Sequence, residues 1–227
     1  MASTNVMIAE AVHNEYGKYQ GGAAGDQTGD EVRIRKWYNR PWGVVLRFTN
    51  PAMAERFAYA MEAAARNNRI GYDQGQRNTA LAAARAVGYD PARITKDCET
   101  DCSALVTLAC IYAGVPEAQL FKWGNSATTS TLRSRLLATG VVKAYSGKDY
   151  VGKLDKLMRG DILLYEGHHV AGVVQGAAAS LKSVHDVALE CIHGKWGDGV
   201  ERMDRLKAAG YDAEAIRKEV NRIVKGE

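Results

Sequence analysis

Cysteine is scarce in this sequence, with four residues in a chain of 227, at positions 98, 102, 110 and 191. So few cysteines in a chain of this length do not build a disulfide framework. The usage is typical of a protein made in a reducing compartment. Each thiol therefore has to be considered separately for packing, metal binding or catalysis.

Long apolar runs are also missing. No stretch approaches the roughly 18 consecutive apolar residues that a membrane-spanning helix needs. Residues 1–10 lack the basic segment and apolar run of a secretory signal peptide. We therefore expect no membrane insertion, and a protein that would leave a cell by a route other than a signal peptide.

A strong charge of one sign is the third absence. The net charge is +4, and residues 181–227 hold nine basic and nine acidic side chains, so the surplus belongs to residues 1–180. This balance is too weak to indicate a nucleic-acid partner, but it suits an anionic polymer such as a bacterial wall. A hydrophobic content of 46% and a charged content of 25% are typical of folded globular domains.

The spacing of the apolar residues, with glycines and prolines between the apolar segments, predicts a mixture of helices and strands. Residues 1–30 are polar and glycine-rich, and 21–30 should form a loop. The later predicted elements are strands at 32–37 and 44–47, a helix from Asn50 to about residue 68, a loop at 70–77, an alanine-rich helix ending at Gly88, a helix from Cys102 to Gly114, a helix at 130–139, a strand at 141–145 and a hairpin at 159–174.

Cys102 is the first candidate for chemistry. Asp101 can cap a helix, and Ala104, Leu105 and Leu108 follow at helical spacing. Cys102 would then lie in the first helical turn, where free N–H groups and the helix dipole favour the nucleophilic thiolate. The alternative is a structural cysteine that fills the core like a small hydrophobic residue.

His169 is the second candidate, because it opens the apolar second strand of the hairpin. A histidine there is often structural, but with Cys102 it can complete a thiol–imidazole pair. The imidazole would take the thiol proton and later protonate the leaving amine. His168 is a rival base, although strand alternation points the two side chains to opposite faces.

The group that would orient the imidazole is less clear from the sequence. Asp26 and Gln27, in the first glycine-rich loop, are the favoured candidates, and Asp73 and Gln74 are alternatives. These loops could equally well only close turns or bind substrate.

Cys98 lies four residues before Cys102. A zinc site needs a second ligand pair at suitable spacing, and Cys191 with His193 lies in the C-terminal part of the chain, so we predict no metal. We hypothesise instead that Cys98 pairs with Cys102 under oxidation and silences the thiol.

Aromatic residues at 37, 38 and 42 could form the rim of a substrate groove, or simply pack against the sheet. They are grouped with four other residues near the predicted loop and helix start. The substrate-binding candidates are Trp37, Tyr38, Trp42, Tyr72, Asp73, Asp101 and Ser103.

A change of pattern follows the small-residue linker at 176–180. Three short amphipathic helices are predicted beyond it, with turns at 194–199 and 210–212. Their apolar faces are Val184, Val187, Ala188, Cys191 and Ile192; Val200, Met203 and Leu206; and Ala213, Ile216, Val220 and Ile223. We therefore expect one domain over 1–178 and a second, a three-helix unit, over 181–227.

Two resemblances cover most of the chain. The order Asp-Cys-Ser-Ala-Leu-Val at 101–106, Gly-Asp-Ile-Leu-Leu at 160–164 and His-Val-Ala at 169–171 resembles the NlpC/P60 superfamily of cell-wall cysteine peptidases, with Ala104 where glycine is usual. The segments 25–29 and 37–42 are similar to phage lysin catalytic domains of this class. The resemblance implies an α+β, papain-like fold with helices packed on a small antiparallel sheet, and no cofactor.

Residues 192–212 and 220–221 resemble one CW_7 (Cpl-7-type) cell-wall-binding repeat, with Asp198 where asparagine is common and Arg217 where glutamine is common. That family implies a three-helix module that binds the muropeptide. A single copy implies weak binding unless chains associate, so a homo-oligomer is possible. The implied wall-binding residues are Trp196, Asp198, Arg202, Arg205, Tyr211 and Asn221.

Together the resemblances imply a phage endolysin that waits in the host cytoplasm until a holin opens the membrane. We expect cleavage of a stem-peptide amide beside D-glutamate or D-isoglutamine, with peptidoglycan as the partner. The alternatives are an N-acetylmuramoyl-L-alanine amidase, a wall-binding protein with a dead catalytic domain, and a general cysteine protease, which would not explain the wall-type repeat.

Overall fold

The computed structural model describes residues 5–176, 182, 184–208 and 211–225. The chain is a mixture of helices and strands, with an antiparallel sheet at its centre. The strands are β1 (Met7–Ala11), β2 (Val32–Lys36), β3 (Val44–Phe48), β4 (Ile70–Tyr72), β5 (Cys98–Thr100), β6 (Phe121–Lys122), β7 (Asn125–Ser126), β8 (Val142–Ser146), β9 (Ile162–Tyr165) and β10 (His169–Gln175). The helices are α1 (Pro51–Ala65), α2 (Thr79–Arg85), α3 (Cys102–Ala113), α4 (Glu117–Leu120), α5 (Leu132–Ala138), α6 (Lys148–Val151), α7 (Val184–Ile192), α8 (Gly199–Ala208) and α9 (Ala213–Lys225).

Six strands form the main sheet in the order β2-β1-β10-β9-β3-β8, and every neighbouring pair is antiparallel. The predicted hairpin is confirmed as β9 and β10, with His169 opposite Tyr165. Strand β1 was not predicted, because residues 1–30 were expected to be loop. It lies between β2 and β10, and so brings the N-terminal segment beside the strand that begins at His169.

Helices α1 and α3 pack against one face of this sheet and enclose the larger core, which includes Phe57, Met61 and Leu105. Gly172 of β10 permits this close packing. A Cβ atom there would lie 2.9 Å from both Met61 Cγ and the Phe57 ring. The opposite face is covered by a second apolar group around Trp42 and Leu163.

Several local boundaries differ from the predictions. Helix α1 ends at Ala65 instead of near residue 68, and the predicted loop at 70–77 begins with the short strand β4. This strand pairs in parallel with β5, just before α3. Pairing with a distant segment stabilises β4 and β5, and three residues are too few to give a periodic signal.

The C-terminal helices α7, α8 and α9 enclose their own core, which includes Val187, Cys191 and Ile216. Two residues assigned to apolar faces are instead exposed, Ile192 at 41% and Val200 at 77%, because they lie at helix ends. The predicted linker residues 177–180 and the expected boundary between 178 and 181 lie outside the described residues.

Candidate active site

The helix predicted to begin at Cys102 is confirmed, and Asp101 is its cap. The Asp101 Oδ1 atom accepts hydrogen bonds from the N–H groups of Ser103 at 2.8 Å and Ala104 at 2.7 Å. Helix α3 is almost entirely buried between α1 and the sheet. Because the cap fixes the first turn and packing fixes the axis, the Cys102 side chain has a defined position with 7% exposure.

Arg77, which the sequence analysis did not single out, stabilises this helix start. Its Nε donates to Asp101 Oδ2 at 2.5 Å, and its Nη2 donates to Ser103 Oγ at 2.8 Å and to the Ala127 carbonyl at 2.9 Å. Asp101 and Ser103 were expected to contact substrate. Their polar atoms are instead used to cap the helix and hold Arg77.

His169 lies at the start of β10 with a buried side chain. Its Nε2 atom is 2.9 Å from Glu10 Oε2, and the Trp42 ring lies 5.9 Å from the imidazole, centroid to centroid. The rival His168 is exposed and stacks on Tyr165 at 4.2 Å. The two histidines therefore differ sharply in environment, as strand alternation predicts.

Glu10 is the functional candidate that sequence reasoning missed. It is fully buried on β1, and its Oε2 atom also accepts from the Tyr38 hydroxyl at 3.0 Å. Burial alone would raise the pKa of Glu10, but the hydrogen bond and charge of His169, with Tyr38 and Arg33, outweigh it and lower the pKa below its ordinary value. The carboxylate is thus held ionised beside the imidazole.

Asp26 and Gln27 do not reach His169, which corrects the expectation that they orient it. Asp26 accepts from backbone N–H groups of its own loop, including Gly29 at 2.6 Å and Glu31 at 3.1 Å. Gln27 Nε2 donates to the Ala24 carbonyl at 2.9 Å. Both residues stabilise the glycine-rich loop, and β1 occupies the place beside β10 from which the imidazole is contacted.

The Cys102 thiol is not the thiolate that the helix start was expected to favour. Its pKa is raised to about 12, mainly by burial and in addition by the Asp101 carboxylate. Three groups lower the pKa of Cys102, but by less than burial raises it: the N–H groups of Val170 and Ser103 and the charge of Arg77. The resting side chain is therefore a thiol, and a neighbouring base is required to ionise it.

The aromatic candidates divide into lining and packing residues. Tyr38 and Tyr72 line the cavity beside Cys102. Trp42 is 3% exposed and donates from Nε1 to the Tyr38 carbonyl, while Trp37 packs with the same apolar group, so neither forms an open rim. Both tryptophans therefore follow the packing alternative, and a contact of either one with substrate stays a prediction.

Asp73 was a candidate for substrate binding and an alternative for orienting the imidazole. It is 4% exposed and accepts from the N–H groups of Gly21 at 3.0 Å and Gly75 at 2.5 Å. Its oxygens therefore close loops. Gln74 donates to the Tyr72 hydroxyl and lines the cavity.

A cavity of about 540 Å³ brings these groups together. Cys102, His169 and Glu10 all contribute to its wall, although they come from three separate elements. Arginine, histidine and tyrosine side chains make up most of the rest. Its other lining residues are Val12, His13, Gly17, Tyr19, Arg33, Arg35, Tyr38, Arg40, Tyr72, Gln74, Gly167 and His168.

Cys98 and Cys102 are both free thiols. The Cys98 thiol is buried and donates to the Arg69 carbonyl at 3.3 Å, and burial raises its pKa to about 12. Within residues 5–176, 182, 184–208 and 211–225, no cluster of three or more His, Cys, Asp or Glu side chains could hold a metal ion. The hypothesis of an oxidised Cys98–Cys102 pair stays untested.

In the C-terminal helices, the candidate wall-binding residues are partly engaged with one another. Trp196 packs edge-on against Tyr211 at 5.5 Å and donates to Glu190 at 3.1 Å. Asp198 pairs with Arg202, and Arg205 with Glu201. A groove of about 370 Å³ lies beside them and is lined by Gly199, Val200, Arg202, Met203, Leu206, Ala213, Ile216, Arg217, Val220 and Asn221.

None of the described helices is both long enough and apolar enough to cross a membrane.

Comparisons with known proteins place the chain in a family. Residues 8–180 match the endolysin-like domain, and residues 185–224 match the CW_7 repeat. The chain is also similar to a lysozyme of Streptococcus phage Cp-7, with 52% identity over 44 residues. This alignment covers 19% of the chain and 13% of the phage protein, so the chain spans only a small part of that relative. No solved structure gave a match. Because the first match covers more than half of the chain, the protein belongs to the endolysin-like domain family and carries a C-terminal CW_7 repeat.

Proposed function

We propose that the protein is a phage endolysin that cleaves an amide bond in the stem peptide of peptidoglycan, by a thiol mechanism of the NlpC/P60 type. The observation that carries this proposal is the meeting of Cys102, His169 and Glu10 at one cavity. Membership of the endolysin-like domain family and the CW_7 repeat support the bacterial wall as the substrate class.

In the proposed reaction, His169 acts as general base and Cys102 as nucleophile. The Nε2 atom of His169 is held by Glu10, which leaves Nδ1 to accept the thiol proton. The Glu10 carboxylate stabilises the resulting imidazolium and so favours transfer of the proton from the buried thiol. Glu10 is thus a positioning residue that acts through His169.

The thiolate then attacks the amide carbonyl and forms a C–S bond. The N–H groups of Ser103 and Ala104 are used by Asp101, so the N–H of Cys102 is the donor at the helix start for the developing oxyanion. The imidazolium gives its proton to the leaving amine as the C–N bond breaks. Water, deprotonated by His169, hydrolyses the thioester and restores the thiol.

We further propose that the CW_7 helices hold the enzyme on the muropeptide and that the protein reaches the wall from the host cytoplasm through a membrane opened by a holin. The groove beside Arg202, Arg217 and Asn221 offers both apolar surface and polar side chains for such a ligand. With one repeat, avidity from associated chains would strengthen wall binding.

Turbidity of purified Gram-positive walls, with release of new amino groups measured in parallel, tests the proposal. Wild type should clear the walls and release amines, and Cys102→Ala should do neither. Cys98→Ala is the matched control, because it removes a buried thiol that does not line the cavity. Circular dichroism checks that each variant is folded.

Mass spectrometry of the products identifies the bond. An endopeptidase leaves L-alanine on the sugar, whereas an amidase exposes the L-alanine amine. Clearing by Cys102→Ala, or clearing without new amines, would refute the thiol mechanism and leave a binding protein or a glycosidase.

A further inference from the structure

Three arginines face the cavity that contains Cys102 and His169. We call Arg33, Arg35 and Arg40 the arginine face. The first two lie two residues apart on β2, so strand alternation points both side chains to the same side of the sheet. The third follows in the turn after β2. The arginine face therefore lies in the same cavity as the proposed nucleophile.

The charge of the arginine face is only partly neutralised. Among the described residues that line the cavity, Glu10 is the single carboxylate. Its Oε1 atom is 3.5 Å from Arg33 Nε and 3.8 Å from Arg35 Nη1, beyond ordinary hydrogen-bond length. Its Oε2 atom is already used by His169 and Tyr38. The cavity wall thus carries one carboxylate and three guanidinium groups.

Other contacts of the arginine face do not neutralise its charge, because they are made to the neutral side chain of Tyr38. Arg40 donates from Nη1 to the Tyr38 hydroxyl at 2.9 Å, and Arg35 lies over the Tyr38 ring at 4.5 Å. Burial raises the pKa of Tyr38, so the phenol stays neutral. Among the described residues, Arg33 Nε and Glu10 Oε1 are both buried without a hydrogen-bond partner, and they face each other as an ion pair at 3.5 Å. The excess of guanidinium groups over carboxylates in the cavity indicates a place for a further anion.

We propose that the arginine face binds a free carboxylate of the stem peptide while the amide to be cut lies at Cys102. Guanidinium groups suit this role, because their paired N–H donors match the geometry of a carboxylate. A stem peptide can carry such a group on D-glutamate or at its terminal D-alanine. The inference rests on the proposed function, since it takes the stem peptide as the substrate.

Four synthetic peptides of the sequence L-Ala-γ-D-Glu-L-Lys-D-Ala separate the two sources. One has both carboxylates free, one is amidated at D-glutamate, one is amidated at D-alanine, and one is amidated at both. Binding to full-length Cys102→Ala protein is measured by calorimetry. Cleavage by the active protein is followed in parallel to give KM and kcat.

Amidation of the recognised carboxylate should raise Kd by about tenfold, and amidation of the other should leave Kd unchanged. In the Cys102→Ala background, Arg35→Gln and Arg40→Gln should each raise Kd about tenfold for the free peptide and leave Kd for the doubly amidated peptide unchanged. In the active protein they should raise KM more than they lower kcat. Arg93→Gln is the matched control, because Arg93 is exposed and does not line the cavity.

The inference is overturned if Cys102→Ala protein binds all four peptides equally or binds none. It is also overturned if the arginine variants weaken all four peptides alike, since that would mean a structural role. The proposed function fails separately. Carboxylate-dependent binding with no amide cleavage by the active protein would sustain the arginine face and remove the peptidase.

Discussion

The contact between Glu10 and His169 joins side chains that are 159 positions apart in the chain. Glu10 is fully buried, so its negative charge is little screened by water where it meets the imidazole. The Tyr38 hydroxyl donates to the same oxygen and fixes the carboxylate orientation. At the scale of single residues, this carboxylate is the group on which the proposed proton transfer depends.

Replacing Glu10 with glutamine should lower kcat for wall cleavage by at least about tenfold at neutral pH, because a neutral amide does not stabilise the imidazolium. The pKa of Glu10 is below its ordinary value. At every pH above that pKa the wild-type carboxylate stays charged, so the wild type should remain faster than the variant. As the pH falls through the Glu10 pKa, the wild-type carboxylate is also neutralised and the two rates should converge. A pH–rate profile measures both.

Glu166→Gln is the control for this prediction, because Glu166 is exposed on the β9–β10 turn and pairs with Arg133. It should leave the profile unchanged. An equal kcat for Glu10→Gln and wild type at neutral pH would remove Glu10 from the mechanism.

Glu99 is a second buried carboxyl group, in β5 beside the glycine-rich loop. Both of its oxygens lack a hydrogen-bond partner among the described residues. Its pKa is raised to about 8, mainly by burial and in addition by the nearby carboxylates of Glu31 and Asp73. The native state therefore keeps a proton that the unfolded chain releases near its ordinary pKa of 4.5. Its contribution to stability is complete below that value and falls as the pH rises toward 8.

Glu99→Gln should remove this loss, because the amide carries no charge at any pH. The variant should gain stability relative to wild type between pH 5 and pH 8, with the difference growing as the pH rises. Urea unfolding at several pH values measures it. Glu117→Gln is the comparison of opposite sign, because the hydrogen bond from Arg85 lowers the pKa of Glu117. If Glu99→Gln changed the free energy of unfolding by the same amount at every pH, the raised pKa of Glu99 would be contradicted.

At the scale of elements, the backbone of the turn before β9 packs closely against α1. Gly160 has φ of +89°, and a Cβ atom there would lie 2.5 Å from the Ala54 carbonyl oxygen. The next residue, Asp161, is fully buried and holds Arg47 through two contacts of 2.7 Å. The Gly-Asp pair, which the resemblance included beside the catalytic motifs, therefore joins the sheet to α1.

Gly160→Ala should destabilise the protein by about 2 kcal/mol or more, because it adds a backbone clash to an unfavourable left-handed conformation. Gly140→Ala is the matched control. Gly140 has φ of +72° with nothing within 4 Å of a built Cβ, so it should show only the conformational part, about 1 kcal/mol. Equal urea midpoints for the two variants would mean that the close approach to Ala54 is relieved at no cost.

The success of prediction at this scale depended on element length and on local signals. The cap at Asp101 and the left-handed Gly114 bound α3 correctly, because both act within one helical turn. The hairpin of β9 and β10 was recognised from its apolar runs and turn. Strands β4 and β5 are three residues each and depend on a partner that periodicity does not reveal.

At the scale of the whole molecule, an arginine-lined cavity and a separate core of three helices occur in one chain. We propose that the C-terminal helices bind the wall and that the cavity carries out cleavage. We therefore expect that a substitution in the helices can weaken wall binding without loss of the catalytic groups. Asn221 is exposed on α9 and lines the groove beside α8, while Cys102, on α3, and His169, on β10, line the cavity that contains the arginines.

Asn221→Ala, in the full-length Cys102→Ala protein, should therefore weaken wall binding by about threefold to tenfold, the effect of losing one hydrogen bond. Co-sedimentation with purified walls measures the bound fraction. Asn68→Ala is the control, because Asn68 is also exposed but lies at the end of the α1 region. Unchanged binding for Asn221→Ala would exclude this groove as the main wall contact.

The sequence by itself determined the features that depend on neighbours within a few residues. These include the helix start at Cys102, the strand that begins at His169, and the order of motifs that indicated a wall-acting protein. Only the tertiary structure decided what each of these groups meets. No local pattern places Glu10 on a strand beside β10, commits Asp26 to its own loop, or buries the Cys102 thiol enough to raise its pKa. Hydrogen bonds, desolvation and charge act between residues that are distant in the sequence. These residues meet only when the strands have paired and the helices have packed on the sheet.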